Sequence, residues 1–332
     1  MIISEKMRHV ALSGYGNPDV MYITESFIPK PKKEEVLIKV RAIGVNRADI
    51  MQRKGLYPPP RNANPILGLE VAGEIVNVGE NVLHWSIGEE VCALVNGGGY
   101  AEYCLANQGH ILRFPNGYDA IKSSSLPETF FTVWANMFQK AKNYTKKNVL
   151  IHGGSSGIGI TAIQLSVAFG ATVYTTARSN EKCLACLKLG AKHAINYLEE
   201  DFSETIKKET KGKGVDFILD IVGAKYFNQN IDLLSHGGEL IIISFIGGEN
   251  IKEFKLTPIM TKNLTITGST LRRSTDYAKQ SIRDELLSNV WPLLNSHLIN
   301  PVIYTVLPLE KVSVAHNIME RSKHIGKIIL VP

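Results

Sequence analysis

The chain has 332 residues, 44% hydrophobic and 20% charged, which is enough for a sizeable core and, by length, for two domains; disorder and collagen-like repetition are excluded. Lys plus Arg number 37 against 31 for Asp plus Glu, a net charge of +6, and short basic runs such as Lys30-Pro31-Lys32-Lys33 and Lys207-Lys208 read as solvated faces, not a nucleic-acid groove. No apolar run approaches the roughly 18 residues of a membrane helix, and the start, Met1-Ile2-Ile3-Ser4-Glu5-Lys6, lacks the apolar centre of a signal peptide. Four cysteines, at 92, 104, 183 and 186, are too few for a disulfide framework, so a cytoplasmic protein without membrane partners is expected.

Residues 8 to about 115 read as short β runs broken by turns: Val36–Val40, Val71–Val78, Glu90–Val95 and Tyr100–Leu105, with glycines and prolines between them. From about 126 the rhythm changes. A helical stretch through Thr132 and Phe138 leads to the apolar strand Asn148–His152, a glycine cluster and a helix to about Phe169. Strands at Thr172–Thr176, Ala194–Asn196, Val215–Asp220, Glu239–Ser244 and Leu264–Gly268 then alternate with helices, the pattern of a parallel sheet covered by helices. The tail from roughly 272 carries a helix and ends in the strand Lys327–Val331.

Gly154-Ser155-Ser156-Gly157-Ile158-Gly159 directly follows a strand and opens a helix, the context in which a glycine motif points to a dinucleotide. The glycines permit a tight turn, close approach of backbone N–H groups to a pyrophosphate, and close packing of helix on sheet; the helix N-terminus offers unpaired donors and partial positive charge. After the second strand the sequence runs Arg178-Ser179-Asn180-Glu181-Lys182, with no carboxylate at the tip to accept from a ribose 2′-hydroxyl. A guanidinium, a hydroxyl and an ammonium suit a 2′-phosphate, so NADPH is expected over NADH. Glu181 counts against this by partly neutralising the patch. A short-chain dehydrogenase would need Tyr-x-x-x-Lys downstream, and that spacing occurs only at Tyr118 and Lys122, before the glycines.

Gly44-Val45-Asn46-Arg47-Ala48-Asp49, Met51 to Tyr57, Leu67-Gly68-Leu69-Glu70, Leu126-Pro127-Glu128, Ile195-Asn196-Tyr197 and Ile325-Gly326-Lys327-Ile328 together make the chain resemble, over nearly its full length, the zeta-crystallin-like quinone oxidoreductases of the medium-chain dehydrogenase/reductase superfamily. The resemblance implies an α/β protein: a β-rich, GroES-like catalytic domain (1–125 and 272–332) and a Rossmann-type doubly wound parallel sheet (126–271). Met1 to Lys6 precede the family-like start as an extra tail. The zinc-binding members use a cysteine and a Gly-His-Glu histidine; here Asn46 and Leu69 stand at those places, and an amide and an aliphatic chain cannot replace thiolate and imidazole at Zn²⁺. Cys183-Leu184-Ala185-Cys186 has metal-like spacing but no second pair.

By the same resemblance, Asn46 and Tyr57 lie at the nicotinamide end, with Tyr57 polarising the acceptor oxygen or relaying a proton. Asp49 is expected to anchor the loop carrying Asn46. Thr132 would lie near the carboxamide, Ser156, Gly157, Ile158 and Gly159 at the pyrophosphate, and Ser179, Lys182 and Tyr197 around the adenosine phosphate, where Arg178 departs from the small residue the family implies. Phe245, Ile246, Gly247, Ser269, Leu271 and Lys327 would close over the nicotinamide half. The implied reaction is reduction of a quinone by NADPH in a cleft between the domains, the alternative being reduction of an α,β-unsaturated carbonyl. A homodimer pairing the edge strand near Leu264–Gly268 is implied as well. A non-catalytic NADPH- and RNA-binding role would need a clustered basic stripe with aromatics, which the sequence does not display.

Overall fold

The computed structural model describes residues 5–139 and 143–332. The chain divides into two compact units, residues 1–131 with 272–332 and residues 132–271.

In the first unit the chain forms β1 (Lys6–Leu12), β2 (Met21–Phe27), β3 (Glu35–Gly44), α1 (Arg47–Arg53), β4 (Glu70–Val78), β5 (Glu90–Leu94), β6 (Tyr103–Asn107), β7 (Ile111–Arg113) and α2 (Ala120–Ser123), with α3 (Pro127–Val133) crossing into the second unit. There follow β8 (Asn148–His152), α4 (Gly157–Ala168), β9 (Thr172–Ala177), α5 (Asn180–Lys188), β10 (His193–Asn196), α6 (Phe202–Glu209), β11 (Val215–Asp220), α7 (Phe227–Leu233), β12 (Leu234–Ile242), α8 (Thr257–Thr261) and β13 (Thr265–Gly268). The first unit is completed by α9 (Asp276–Asn289), α10 (Trp291–Asn295), β14 (Ile303–Pro308), α11 (Val312–Arg321) and β15 (Lys327–Val331).

The first unit is built on a sheet ordered β14-β15-β3-β4-β5-β7, with β6 added on β3 and β1 paired with β2 as a separate hairpin. All its pairings are antiparallel except β14 with β15. The alternation that reads as β in the sequence works here by placing Val36, Ile38 and Val40 of β3 in one apolar core with Val71, Ile75, Val91, Ile328 and Leu330. Among the boundaries that differ from expectation, β3 runs on to Gly44, past Val40. β6 starts at Tyr103 because Tyr100 lies in a buried bend, and β12 begins at Leu234, earlier than Glu239. Lys6, expected in an extra tail, opens β1 opposite Phe27, while Met1 to Ser4 lie outside the described residues.

The second unit carries six strands in the order β10-β9-β8-β11-β12-β13, all parallel. In chain order this is 3-2-1-4-5-6, the doubly wound arrangement whose ligand crevice lies at the carboxyl ends of the strands where the order reverses, here between β8 and β11. Leu150, Tyr174, Ile195 and Ile218 from the strands pack with Phe202, Ile206, Phe227 and Ile231 from the helices. Among the described residues no helix is long and apolar enough to cross a membrane.

One buried polar chain in the first unit fixes α1 against α11. Arg53, fully buried, donates through Nε to the Gly16 carbonyl (3.0 Å), through Nη1 to His316 Nδ1 (3.2 Å) and through Nη2 to Glu320 (3.0 Å). A guanidinium only donates, so Nδ1 must accept and the His316 proton sits on Nε2. It therefore donates to Tyr100 Oη (3.0 Å), which in turn donates to Asp49 Oδ2 (3.1 Å). Burial, then Arg53, push the His316 pKa down to about 3, so the imidazole is neutral. Arg53→Met would leave His316 and the Gly16 carbonyl without their donor and Glu320 with Lys54 alone; the expected loss is about 3 kcal/mol, read as a lowered urea-unfolding midpoint, and an unchanged midpoint would show the chain to be dispensable.

Candidate active site

The polar centre of the first unit lies where β3, β4, α3 and β15 begin or end. Lys327, at the start of β15 and 4% exposed, donates from Nζ to Glu70 Oε1 (2.5 Å), Asn46 Oδ1 (2.7 Å) and the Val45 carbonyl (3.2 Å). Asn46 Nδ2 donates to Glu70 Oε1 (2.8 Å) and to the Gly44 carbonyl (3.3 Å). The other Glu70 oxygen accepts the Glu128 backbone N–H at 2.9 Å, tying in the first turn of α3. Gly44 has to be a glycine: a Cβ there would stand 2.1 Å from Glu70 Oε1 and 2.6 Å from the Ser124 carbonyl.

Asn46 is the N-cap of α1, and Asp49 accepts its backbone N–H at 2.8 Å, in the capping manner. Asp49 also accepts from Gly68 N (3.2 Å) and Tyr100 Oη. Burial raises its pKa to about 6 against the pull of those donors. Its geometry is that of an anchor for the Asn46 segment.

Tyr57 follows α1, half-buried, with the Arg272 guanidinium 5.5 Å from its ring centroid. Its phenol pKa is raised by burial and then by Glu128. The Glu128 carboxyl is pushed up to about 8, first by burial and then by the negative charge of Glu70, with Lys327 and Arg272 opposing. It therefore carries a proton at neutral pH.

In the second unit the expected dinucleotide contacts gather at the carboxyl ends of the parallel strands. Gly153 turns with φ 72°. Ser156 caps α4, its Oγ accepting from Gly159 N (3.0 Å) and donating to the Gly153 carbonyl (2.8 Å). A Cβ on Gly159 would stand 2.3 Å from the Gly153 carbonyl oxygen, and one on Gly154 2.1 Å from Thr175 Oγ1, so the helix meets the turn only because both lack side chains. A tight glycine turn leading into a helix N-terminus suits a dinucleotide pyrophosphate.

Arg178 lies just after β9 and Ser179 caps α5, with Lys182 one turn in. Lys182 is lowered in pKa by burial and next by Arg178. Tyr197 follows β10 and Phe245, Ile246 and Gly247 follow β12, the last three exposed. Thr132 and Ser269 are joined by Asn136, which donates to the Thr132 carbonyl (2.9 Å) and accepts from Ser269 Oγ (2.8 Å). Leu271 is buried at the end of the unit. Lys327 belongs to the first unit, buried with Asn46 and Glu70. Sequence reasoning missed Asn136, Arg272 and Lys279; only the topology brings them beside the expected residues, and no motif marks them.

Two family profiles match the chain, "Alcohol dehydrogenase GroES-like domain" over residues 32–116 and "Zinc-binding dehydrogenase" over residues 157–285. Among curated proteins, the quinone oxidoreductase of Homo sapiens is 32% identical over 332 residues and that of Sus scrofa 34%, each alignment covering 98% of this chain and 98% of the relative. Among solved structures, Escherichia coli quinone oxidoreductase complexed with NADPH superposes with a TM-score of 0.86 at 26% identity, covering 98% of this chain and all of that one. The CurK enoyl reductase gives 0.86 at 27% identity, covering 99% of both.

A zinc ion, which one matching profile brings to mind, does not suit the residues present. Leu69 is buried and aliphatic, both ends of the Asn46 amide are engaged, and the Glu70 carboxylate is held by an ammonium. Among the described residues no three His, Cys, Asp or Glu side chains are placed to hold a metal.

The raised Glu128 pKa has a consequence for stability. Between its ordinary value near 4.5 and about 8 the folded chain holds a proton that the unfolded chain releases. The resulting stabilisation is complete below about 4.5 and is lost as pH rises through about 8. Relative to Glu128→Gln, the natural chain should therefore lose stability between pH 5 and pH 9, checked by the two urea midpoints at each pH; a constant difference would place a normal carboxylate there.

Proposed function

The chain belongs to the quinone oxidoreductases of the medium-chain dehydrogenase/reductase superfamily, and from that premise we propose that it reduces a quinone with NADPH, without a metal. NADPH, when bound, supplies the hydride. The residues of this chain bind and orient the two reactants and manage charge and protons. The observation that carries the reading is the Lys327–Glu70–Asn46 cluster, in which a fixed ammonium engages Asn46, the residue that by resemblance stands at a zinc-ligand place. With no group of described residues placed to hold a Lewis acid, an alkoxide is poorly stabilised, whereas a quinone takes hydride at an already electron-poor centre.

In this reading the first unit is the catalytic domain and the second the dinucleotide-binding domain. Gly157, Ile158, Gly159 and Ser156 hold the pyrophosphate. Arg178, Ser179 and Lys182 hold the 2′-phosphate, and Tyr197 borders the adenosine. The like-charge pressure of Arg178 on Lys182 supports the phosphate assignment, because an anion between them would relieve it. Thr132, Phe245, Ile246, Gly247, Ser269 and Leu271 border the nicotinamide half, Asn136 bracing the first and fifth. Asn46, held rigid by Lys327 and Glu70, presents a fixed dipole at the reacting end, and Tyr57 polarises the acceptor oxygen or relays a proton. Two chains would associate through β13, whose described pairing is with β12 alone.

Reduction of an α,β-unsaturated carbonyl is the second reading, favoured by the likeness to an enoyl reductase. It differs in requiring a proton on carbon, for which Glu128 is the protonated group at hand. Following reduced-nicotinamide absorbance with planar quinones and with alkenals separates the two: turnover of quinones alone supports the first, and turnover of alkenals alone replaces it.

Three substitutions test the residue roles. Arg178→Ala and Lys182→Ala should each raise KM for NADPH while leaving NADH little changed, and retention of the coenzyme preference would remove the phosphate assignment. Tyr57→Phe should lower kcat about 10–100-fold with coenzyme affinity intact, as for loss of a donor acting on developing charge; a full-speed variant would reduce Tyr57 to packing.

A further inference from the structure

Arg272 has no place in the reading so far. It stands at the start of the second segment of the first unit and is 6% exposed. Nε and Nη2 both donate to the Asn96 carbonyl, at 2.9 and 2.6 Å, which fixes the plane of the guanidinium. Asn96 is held in turn: its Oδ1 accepts from Lys279 Nζ at 2.7 Å, and the same ammonium donates to the Arg272 carbonyl at 3.3 Å. Lys279 is 1% exposed, so arginine, asparagine and lysine form one locked unit.

Nη1, by contrast, is buried with no hydrogen-bond partner among the described residues. Among the described residues no carboxylate lies within ion-pair distance of Arg272, although Asp49, Tyr57 and Glu128 are the groups that act on its charge. Buried cations are ordinarily paired and buried donors ordinarily satisfied, because each unmade bond is costly. Here a rigid, buried cation keeps one N–H pair unspent beside the Tyr57 ring.

We propose that Arg272 is a catalytic residue whose Nη1 donates to the acceptor's carbonyl oxygen, the atom that turns anionic as hydride arrives. This rests on the hydride-transfer reading above. The acceptor takes the hydride pair at its electron-poor carbon, the π electrons shift onto the oxygen, and one proton from solvent or Glu128 completes the product. The substrate class is thus a conjugated carbonyl with its oxygen turned toward Tyr57 and Arg272. The donor is worth most when the charge has developed, and its orientation is set before substrate binds, so little reorganisation is needed at the moment of reaction.

The test uses the full chain and 4-nitrophenol as a probe, since its phenolate mimics the developing oxyanion and reports ionisation by colour. The natural chain should bind the phenolate in preference to the phenol, lowering the probe's pKa by about one unit, a tenfold preference. Arg272→Gln should lose that shift, weaken phenolate binding about tenfold or more, and lower kcat on the accepted quinone or alkenal about 100-fold or more, while NADPH affinity stays within about twofold. Should Arg272→Gln not fold, Arg272→Lys decides: it keeps the cation without the planar fork, so phenolate preference is retained while kcat falls at least about fivefold. Equal phenolate preference and kcat in Arg272→Gln, or a loss confined to NADPH affinity, would overturn the proposal while leaving the hydride reading standing. Arg272-dependent phenolate binding in a chain that turns over no acceptor would keep the oxyanion site and sink the reductase reading.

Discussion

The first unit depends on one buried ion pair. Lys327 and Glu70 lie out of solvent, and burying two charges costs several kcal/mol unless every remaining donor and acceptor finds a partner. That condition accounts for much of the local structure. The ammonium has three acceptors in Glu70, Asn46 and the Val45 carbonyl, and the carboxylate collects Lys327, the Asn46 amide and the Glu128 backbone N–H. The residues come from the ends of β3, β4, α3 and β15, so the cluster closes the unit between its first and last segments. Gly44 gives Glu70 the room to enter.

The same constraint shapes the chemistry. An amide whose two ends are both engaged cannot turn to accommodate a metal, and Asp49, itself held by Tyr100, accepts its backbone N–H from the other side. What remains at the reacting end is a set of fixed dipoles with two groups of adjustable charge, Tyr57 and Glu128, and one unspent guanidinium donor. Such an arrangement suits an acceptor that carries its own electrophilicity and needs its oxygen stabilised.

The sheet of the second unit was legible in the sequence because its signals are local. β8 and β11 match Asn148–His152 and Val215–Asp220 residue for residue, since each is an apolar run bounded by turns, and the glycine turn with its serine cap is contiguous. The ends of β12 were less so: the strand was expected over Glu239–Ser244, yet it begins at Leu234, which pairs with Val215 ahead of a register shift to Phe217 and Glu239. In the first unit β14 and α11 escaped notice, for β14 is a half-exposed strand whose sequence, Ile303-Tyr304-Thr305-Val306-Leu307-Pro308, does not alternate apolar with polar residues, and α11 carries polar residues such as His316 and Glu320 whose partners lie over 250 positions away in α1. Asn46, Tyr57 and Lys327 could be named from resemblance, but the sequence contained nothing to say that Lys327 would bind Asn46 itself. Arg272 and Lys279 were invisible for the same reason: their meaning comes from Asn96, more than 170 residues earlier.

The account stands on a lysine ammonium that binds Asn46 and Glu70, in a cluster proposed to work without a metal. The most direct measurement is the metal content of the purified chain, taken together with its rate of NADPH oxidation by quinone before and after exhaustive chelation. The account predicts well under one zinc per chain and an unchanged rate; one zinc per chain whose removal abolishes turnover and whose return restores it would contradict it.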